Sequence, residues 1–136
     1  MLNKEFSCGL EAALIVLGGK WKPLVLFHLA HNVHRYGELR RAVGKVTDKV
    51  LIQQLKELQL DGVVERTDYG EIPPRVEYSL THFGQSLASA LAPLCQWGER
   101  HTAEIGKIVQ NREQRPSGTS SAPEGTHDNH PGIRRA

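Results

Sequence analysis

The sequence lacks the features that mark membrane-spanning and secreted proteins. Its longest apolar run, AALIVL at 12–17, is far shorter than the roughly 18 residues that a membrane span needs. The N-terminus has no basic region followed by an apolar core, which is the pattern of a secretory leader. We therefore expect a cytoplasmic protein that makes no membrane contact.

Cysteine is scarce, and catalytic motifs are missing. Cys8 and Cys95 have neither a metal-ligand spacing nor the pattern of a disulfide framework, so two free thiols are expected in a reducing compartment. The segment LGGK at 17–20 lacks the second half of a phosphate-binding loop. Nor does the sequence show a nucleophile–base pair or a metal cluster, and we expect no enzymatic activity, cofactor or metal site.

What is present is the composition of one ordinary globular domain followed by a polar tail. The chain has 136 residues, of which 39% are hydrophobic and 24% charged. From Asn111 onward the only large aliphatic residue is Ile133. Such a segment buries too little apolar surface to offset the entropy of ordering, so 111–136 is predicted to be a disordered tail. The net charge of +2 does not by itself indicate a nucleic-acid partner.

Apolar periodicity, caps and glycines predict a mainly helical chain with a small β-hairpin, an α+β fold. Thr47 is expected to cap the fourth helix and Thr81 the last, which Pro93 should bend. Gly44 and Gly62 are expected to follow helix ends. The predicted helices are 9–17, 20–31, 35–43, 47–61 and 81 to about 108, and the predicted strands are 63–67 and 75–80.

The helix at 47–61 carries the clearest functional pattern. Leucines at 51, 55 and 58 fall on one face and predict a core contact, whereas Lys49, Gln53 and Lys56 fall on the opposite face. Glutamine can pair with adenine and lysine can reach guanine or phosphate, so this face could enter a major groove. Taken alone, the helix fits an ordinary solvated face better.

The neighbouring segments favour the DNA interpretation. From 35 to 66 there are seven basic and five acidic residues, so the excess is small and the basic groups must lie together on one face. A helix-turn-helix followed by a hairpin wing would provide that arrangement. The wing tip would be the segment 70–74, with Arg75 at its edge, while the acidic Asp68 and Glu71 would weaken its contact with phosphate.

Several segments, in order, resemble those of the HxlR-type winged helix-turn-helix regulators, a MarR-like family. They are LGGKW (17–21), RYGELRRAV (35–43), VLIQQLKELQLDGVVER (50–66), IPPRVEYSLTHFGQSL (72–87) and LCQWGE (94–99). The resemblance covers 8–106, which is predicted to be the winged helix-turn-helix domain. It implies a transcriptional regulator, usually a repressor, that binds a pseudo-palindromic operator in double-stranded DNA as a homodimer.

The resemblance also assigns roles by position. It places the recognition helix at 47–61, the wing arginine at Arg75, and the dimer contacts on the N- and C-terminal helices. The candidate DNA-binding residues are Arg40, Lys45, Thr47, Lys49, Gln53, Gln54, Lys56 and Arg75. The candidate dimer-interface residues are Leu87, Leu91 and Leu94, because a domain of this size can hardly bury them alone.

Cys8 stands where many members of that family have a cysteine, which some use to sense electrophiles or oxidants. A thiol at a helix N-terminus has a lowered pKa, which is compatible with sensing, but a small residue packed near a dimer interface is the alternative. Cys95 is expected in the core. Three other hypotheses stay open: an aromatic effector bound at the dimer interface, a ligand-responsive regulator without redox function, and a winged helix that binds protein rather than DNA.

Overall fold

A computed structural model describes residues 5–115. The elements, in chain order, are α1 (Gly9–Leu17), α2 (Trp21–His31), β1 (His34–Arg35), α3 (Tyr36–Val43), α4 (Asp48–Leu60), β2 (Val64–Asp68), β3 (Val76–Leu80), α5 (His82–Arg100) and α6 (Thr102–Gln114). The predicted α+β class is confirmed: the described chain is mostly helical and contains one small antiparallel sheet.

The sheet has three strands rather than the predicted two. β3 lies in the centre and pairs antiparallel with β2 on one side and β1 on the other. Tyr78 of β3 lies opposite both Arg66 and His34. β1 was not predicted because two residues are too few to show an alternating pattern. Its effect is to tie the start of α3 to the middle of β3.

The core lies where α2, α3 and α4 pack beside this sheet. Val25 and Leu26 of α2 and Leu39 of α3 are fully buried. The three leucines of α4, at 51, 55 and 58, are buried as predicted. Each buried leucine contributes about 1.5–3 kcal/mol relative to an exposed one, so this stripe fixes which face of α4 points outward.

The predicted caps of α4 and α5, and the predicted glycine after α4, are confirmed. Thr47 accepts a hydrogen bond from the Val50 backbone N–H at 3.2 Å, and Gly62 follows α4 with a φ of +74°. Thr81 accepts from the Gly84 N–H at 3.0 Å and donates to the Gly62 carbonyl oxygen at 2.6 Å. The start of α5 is thereby attached to the turn that leads out of α4.

The prediction of one helix from 81 to about 108 is wrong. α5 ends at Arg100, and α6 begins at Thr102. Between them, His101 leaves the helical conformation, with φ −117° and ψ 27°. The His101 ring donates through Nδ1 to the Trp97 carbonyl oxygen at 2.9 Å, and the Thr102 hydroxyl donates to that of Glu99 at 2.8 Å. These side chains bond carbonyl oxygens at the end of α5, which accounts for the break.

The helical part of the chain also extends further than expected. α6 runs to Gln114 and therefore includes 111–114, which composition had assigned to the tail. The remainder of the predicted tail, from 116, lies outside the described residues. By its internal contacts the chain divides into two units, one ending at Cys95 and the other starting at Gln96.

No single helix within 5–115 is long and apolar enough to cross a membrane. Only α1 and α2 taken together reach that length and composition, and the two helices are bent by 83° relative to each other.

Candidate nucleic-acid interface

α3, the turn at 44–47 and α4 form the helix-turn-helix. Gly44 ends α3 with a φ of +103°, a conformation that strains other residues, and Thr47 then starts α4 as its N-cap. Val46 between them is buried and fixes the turn to the core. Six predicted contact residues are exposed on this unit: Arg40, Lys45, Thr47, Lys49, Gln53 and Lys56.

The exposed lysines are available for a ligand. Within the described residues, Lys45, Lys49 and Lys56 form no salt bridge. Gln53 is exposed as well, but its amide nitrogen Nε2 donates to Glu57 Oε2 at 2.9 Å. Gln54 is half-buried, so of the two adjacent glutamines Gln53 presents more of its side chain to solvent. The outer face of α4 thus combines two free cations and one amide.

Arg40 differs from the lysines because it has a partner within the helix-turn-helix. Its Nε lies 2.8 Å from Asp48 Oδ1, and the Tyr36 hydroxyl donates to the same oxygen at 2.6 Å. Partial burial, and next the hydrogen bond to Asp48, raises the pKa of Tyr36 to about 12. Asp48 therefore joins α3 to the first turn of α4.

The wing consists of β2, the loop at 69–75 and β3. The Tyr69 backbone N–H donates to the Arg75 carbonyl oxygen at 3.0 Å, and Gly70 turns the chain with a φ of +66°. Asp68 accepts from the Gly70 N–H at 2.9 Å. At the tip, Ile72 is 98% exposed, so the wing ends in an apolar side chain between its acidic residues and its prolines.

Arg75 is held against the wing and does not extend freely from its edge. The guanidinium carbon lies 3.7 Å from the centre of the Tyr69 ring. Arg75 Nε is 3.5 Å from Glu71 Oε1, and Nη1 is 3.9 Å from Glu77 Oε2. Glu77 in turn accepts from the Tyr69 hydroxyl at 2.9 Å. In this arrangement the guanidinium charge is already shared with two carboxylates, which weakens its attraction for a phosphate.

The leucines predicted for the dimer interface are not equivalent. Leu87 and Leu91 are half-buried and pack against the core of their own chain, which leaves part of each side chain exposed. Leu94 is 63% exposed. The larger apolar exposure is on α1, where Leu10, Leu14 and Ile15 are each more than half exposed.

Cys8 is exposed and occupies the N-cap position of α1. Hydrogen bonding from the Glu11 backbone N–H, followed by that of Leu10, lowers the pKa of the Cys8 thiol. Cys95 was expected in the core, and in the structure it is half-buried. Between 5 and 115 the structure contains no group of three or more side chains able to hold a metal ion.

Comparison with known proteins decides the family. A family model described as "HxlR-like helix-turn-helix" matches residues 16–105, more than half of the chain. The chain belongs to the HxlR-like family. The HTH-type transcriptional regulator YtcD of Bacillus subtilis is 46% identical over 105 residues, which are 77% of this HxlR-like chain and 83% of YtcD.

Solved structures agree with that assignment. The redox regulator HypR in its reduced form is 38% identical, with a TM-score of 0.68 over 74% of this chain and 99% of HypR. A structure described as a MarR-family regulator from Porphyromonas gingivalis is 33% identical, with a TM-score of 0.66 over 73% of this chain and 97% of that protein. The HxlR-like protein is therefore a transcriptional regulator with a winged helix-turn-helix fold of the DNA-binding type.

One ion pair that involves α4 was not predicted from the sequence. Lys22 of α2, 8% exposed, forms an ion pair with Glu57 of α4. The pairing joins two helices far apart in sequence, so periodicity along either helix gave no signal for it. Glu57 also interacts with Gln53 within α4. The i, i+4 spacing of Gln53 and Glu57 was the one local indication of that second contact.

Proposed function

We propose that the protein represses transcription by binding a pseudo-palindromic operator as a homodimer, with α4 in the major groove. One observation supports this more than any other. Core leucines and the Thr47 cap fix α4 so that Lys49, Gln53 and Lys56 project together from its exposed face. Lysine and glutamine on one helix face supply both phosphate attraction and base-edge hydrogen bonding.

In this proposal the remaining candidates hold the protein on the DNA backbone. Lys45 is exposed in the turn before α4, where a phosphate beside the groove would meet it. Arg40 keeps N–H groups beyond its contact with Asp48, because a guanidinium has five. Arg75 contributes less, since Glu71 and Glu77 lie beside it. Sequence preference then comes mainly from α4.

The direct test is the double variant Lys49→Ala/Gln53→Ala, assayed for binding to a duplex from the DNA that flanks the protein's own gene. Both residues are exposed, so the fold should persist, as circular dichroism would verify. We expect affinity to fall by at least about 10-fold, since one lost base contact alone is worth about 1–3 kcal/mol. Leu60→Ala, at an 86% exposed position at the end of α4, is the matched control. Unchanged affinity of the double variant would refute the role of α4.

A homodimer is proposed because exposed apolar side chains collect on the terminal helices. Phe6 and three residues of α1 are exposed in the N-terminal unit, and Ile108 and Val109 are exposed on α6. A second copy of the chain would remove such surfaces from water. Two copies of α4 would also match the two half-sites of a pseudo-palindrome.

We further propose that Cys8 makes the regulator responsive to electrophiles or oxidants. The thiol is exposed, and helix N–H groups favour its reactive thiolate form. HypR, described as a redox regulator in both oxidised and reduced forms, is similar to this chain in fold and sequence. Adding an electrophile should release wild-type protein from DNA but leave Cys8→Ser bound. Equal release of both proteins would assign the response elsewhere.

A further inference from the structure

Three polar side chains form a continuous chain from the interior to the outer face of α4. Lys22 Nζ, on a residue that is 8% exposed, forms an ion pair with Glu57 Oε1. The other carboxylate oxygen, Oε2, accepts from Gln53 Nε2 at 2.9 Å. Both oxygens of Glu57 are thus in use, one toward the core and one toward the exposed amide.

This arrangement permits one orientation of the Gln53 amide. An ionised carboxylate has only acceptor oxygens, so the amide must turn its NH2 group toward Glu57 and its carbonyl oxygen away. The bond from Gln53, and then that from Lys22, lowers the pKa of Glu57, so the carboxylate is ionised at neutral pH. Reversing the amide would set two acceptors against each other.

The buried lysine distinguishes this contact from an ordinary pair on a helix surface. A solvated pair at i and i+4 contributes only about 0.2–0.5 kcal/mol and exchanges readily with water. Here Glu57, whose own side chain is 40% exposed, is attached to the ammonium group of a lysine side chain that is only 10% exposed. Moving Glu57 away would leave that nearly buried charge unpaired. The Glu57 carboxylate is consequently held in place and sets the orientation of the Gln53 amide.

The orientation determines what Gln53 can recognise. With one N–H bonded to Glu57, the amide retains one N–H donor and its carbonyl acceptor for a base. Adenine presents the complementary pair in the major groove, the N7 acceptor and the N6 donor. Guanine presents two acceptors there, N7 and O6, and cannot satisfy the amide carbonyl.

We propose that Glu57, anchored by Lys22, is a positioning residue that orients Gln53 to read an adenine in each half-site. The inference rests on the proposed function, because it assumes that α4 lies in the major groove. Glu57 itself touches no base in this scheme. Its effect is on sequence preference at one position, whereas Lys49 and Lys56 determine how strongly the protein is attracted to DNA of any sequence.

The test is selection from a library of duplexes with a randomised centre, using the full-length protein. Four proteins are compared: wild type, Gln53→Ala, the double variant Lys22→Met/Glu57→Ala, and Glu65→Ala. The double variant removes both charges together, so no unpaired ammonium remains in the interior. Glu65→Ala deletes an acidic residue from an exposed position of β2 and serves as the control for the loss of a carboxylate outside α4.

Wild type and Glu65→Ala should select a motif with one adenine per half-site that discriminates against guanine by about 5- to 150-fold. Gln53→Ala should lose that preference. The double variant should weaken the same preference severalfold while the other positions of the motif stay unchanged. A purely structural role for Glu57 would instead lower affinity for every sequence alike.

Two outcomes distinguish a failure of the positioning role of Glu57 from a failure of sequence-specific DNA binding. If wild type selects a motif but the double variant keeps its full adenine preference, or if Gln53→Ala changes no position, the positioning role is refuted while sequence-specific binding stands. If wild type selects no motif at all, sequence-specific DNA binding is itself refuted.

Discussion

At the scale of single residues, the helix-turn-helix depends on a few side chains that fix where α4 begins and which way it faces. Thr47 caps it, and Asp48 connects its first turn to Tyr36 and Arg40 of α3. The cap was predictable, because the preference for Ser, Thr, Asp or Asn at a helix start has a local cause: the side-chain oxygen accepts a hydrogen bond from a backbone N–H of the first turn. The contacts of Asp48 were not, since they depend on how α3 packs beside α4.

Thr47→Ala should reduce the free energy of unfolding by about 1 kcal/mol, the usual value of a lost N-cap hydrogen bond. Thermal denaturation followed by circular dichroism would show this as a fall in Tm of several degrees. Thr47→Asn retains a capping oxygen and should stay close to wild type. If both variants had the same Tm, the hydrogen bond from the Val50 N–H would contribute nothing to the free energy of unfolding.

The pKa of Cys8 can be measured from the rate of alkylation by iodoacetamide as a function of pH. In a Cys95→Ser background only Cys8 reacts, and the midpoint should lie below that of an ordinary cysteine thiol because helix N–H groups stabilise the thiolate. The same protein unfolded in urea should regain the ordinary midpoint. Identical midpoints in folded and unfolded protein would contradict the assigned role of α1.

At the scale of elements, sequence periodicity was sufficient where an element is long and amphipathic. α4 was predicted within one residue at each end, and its three core leucines are buried. Prediction failed where an element depends on contacts that leave no periodic pattern in the sequence. β1 exists only because β3 is beside it, and the break at His101 comes from side chains that bond the carbonyls of the preceding turn.

The wing shows the same division between local and distant causes. Its strands and its loop follow from alternation, glycine and proline. The environment of Arg75 does not, because the contact with the Tyr69 ring and with Glu77 requires the hairpin to close first. Sequence alone therefore suggested a free arginine at the wing edge, where the structure has one that is paired.

At Gly84, α5 lies directly against the backbone of Val63, between α4 and β2. A Cβ at this position would overlap the Val63 carbonyl oxygen and lie 3.3 Å from Leu80 Cδ2. Gly84→Ala should therefore destabilise the protein by about 1–3 kcal/mol or more, measured by urea denaturation. Gly98→Ala, in the same helix with open space around its Cβ, should be neutral or slightly stabilising. Equal stability of the two variants would refute the close approach.

At the scale of the whole molecule, the proposed function requires a dimer, because a pseudo-palindrome needs two copies of α4. Leu14→Glu places a charge in the exposed apolar face of α1 and should convert the dimer to monomer in sedimentation velocity at micromolar concentration. Leu60→Glu, at an equally apolar but separate exposed position, should remain dimeric. A wild-type protein that is monomeric, or a Leu14→Glu variant that is still dimeric, would contradict the proposed interface.

Whether α4 reads DNA sequence is tested most directly by the affinity of wild type for two labelled duplexes across a range of salt concentrations. One duplex carries the DNA flanking the protein's own gene, and the other is a shuffled sequence of equal composition. We expect tighter binding to the first, by about 10³-fold or more, and a linear fall of log affinity with log salt for both. Equal affinity for the two duplexes, or no salt-dependent binding at all, would contradict the account.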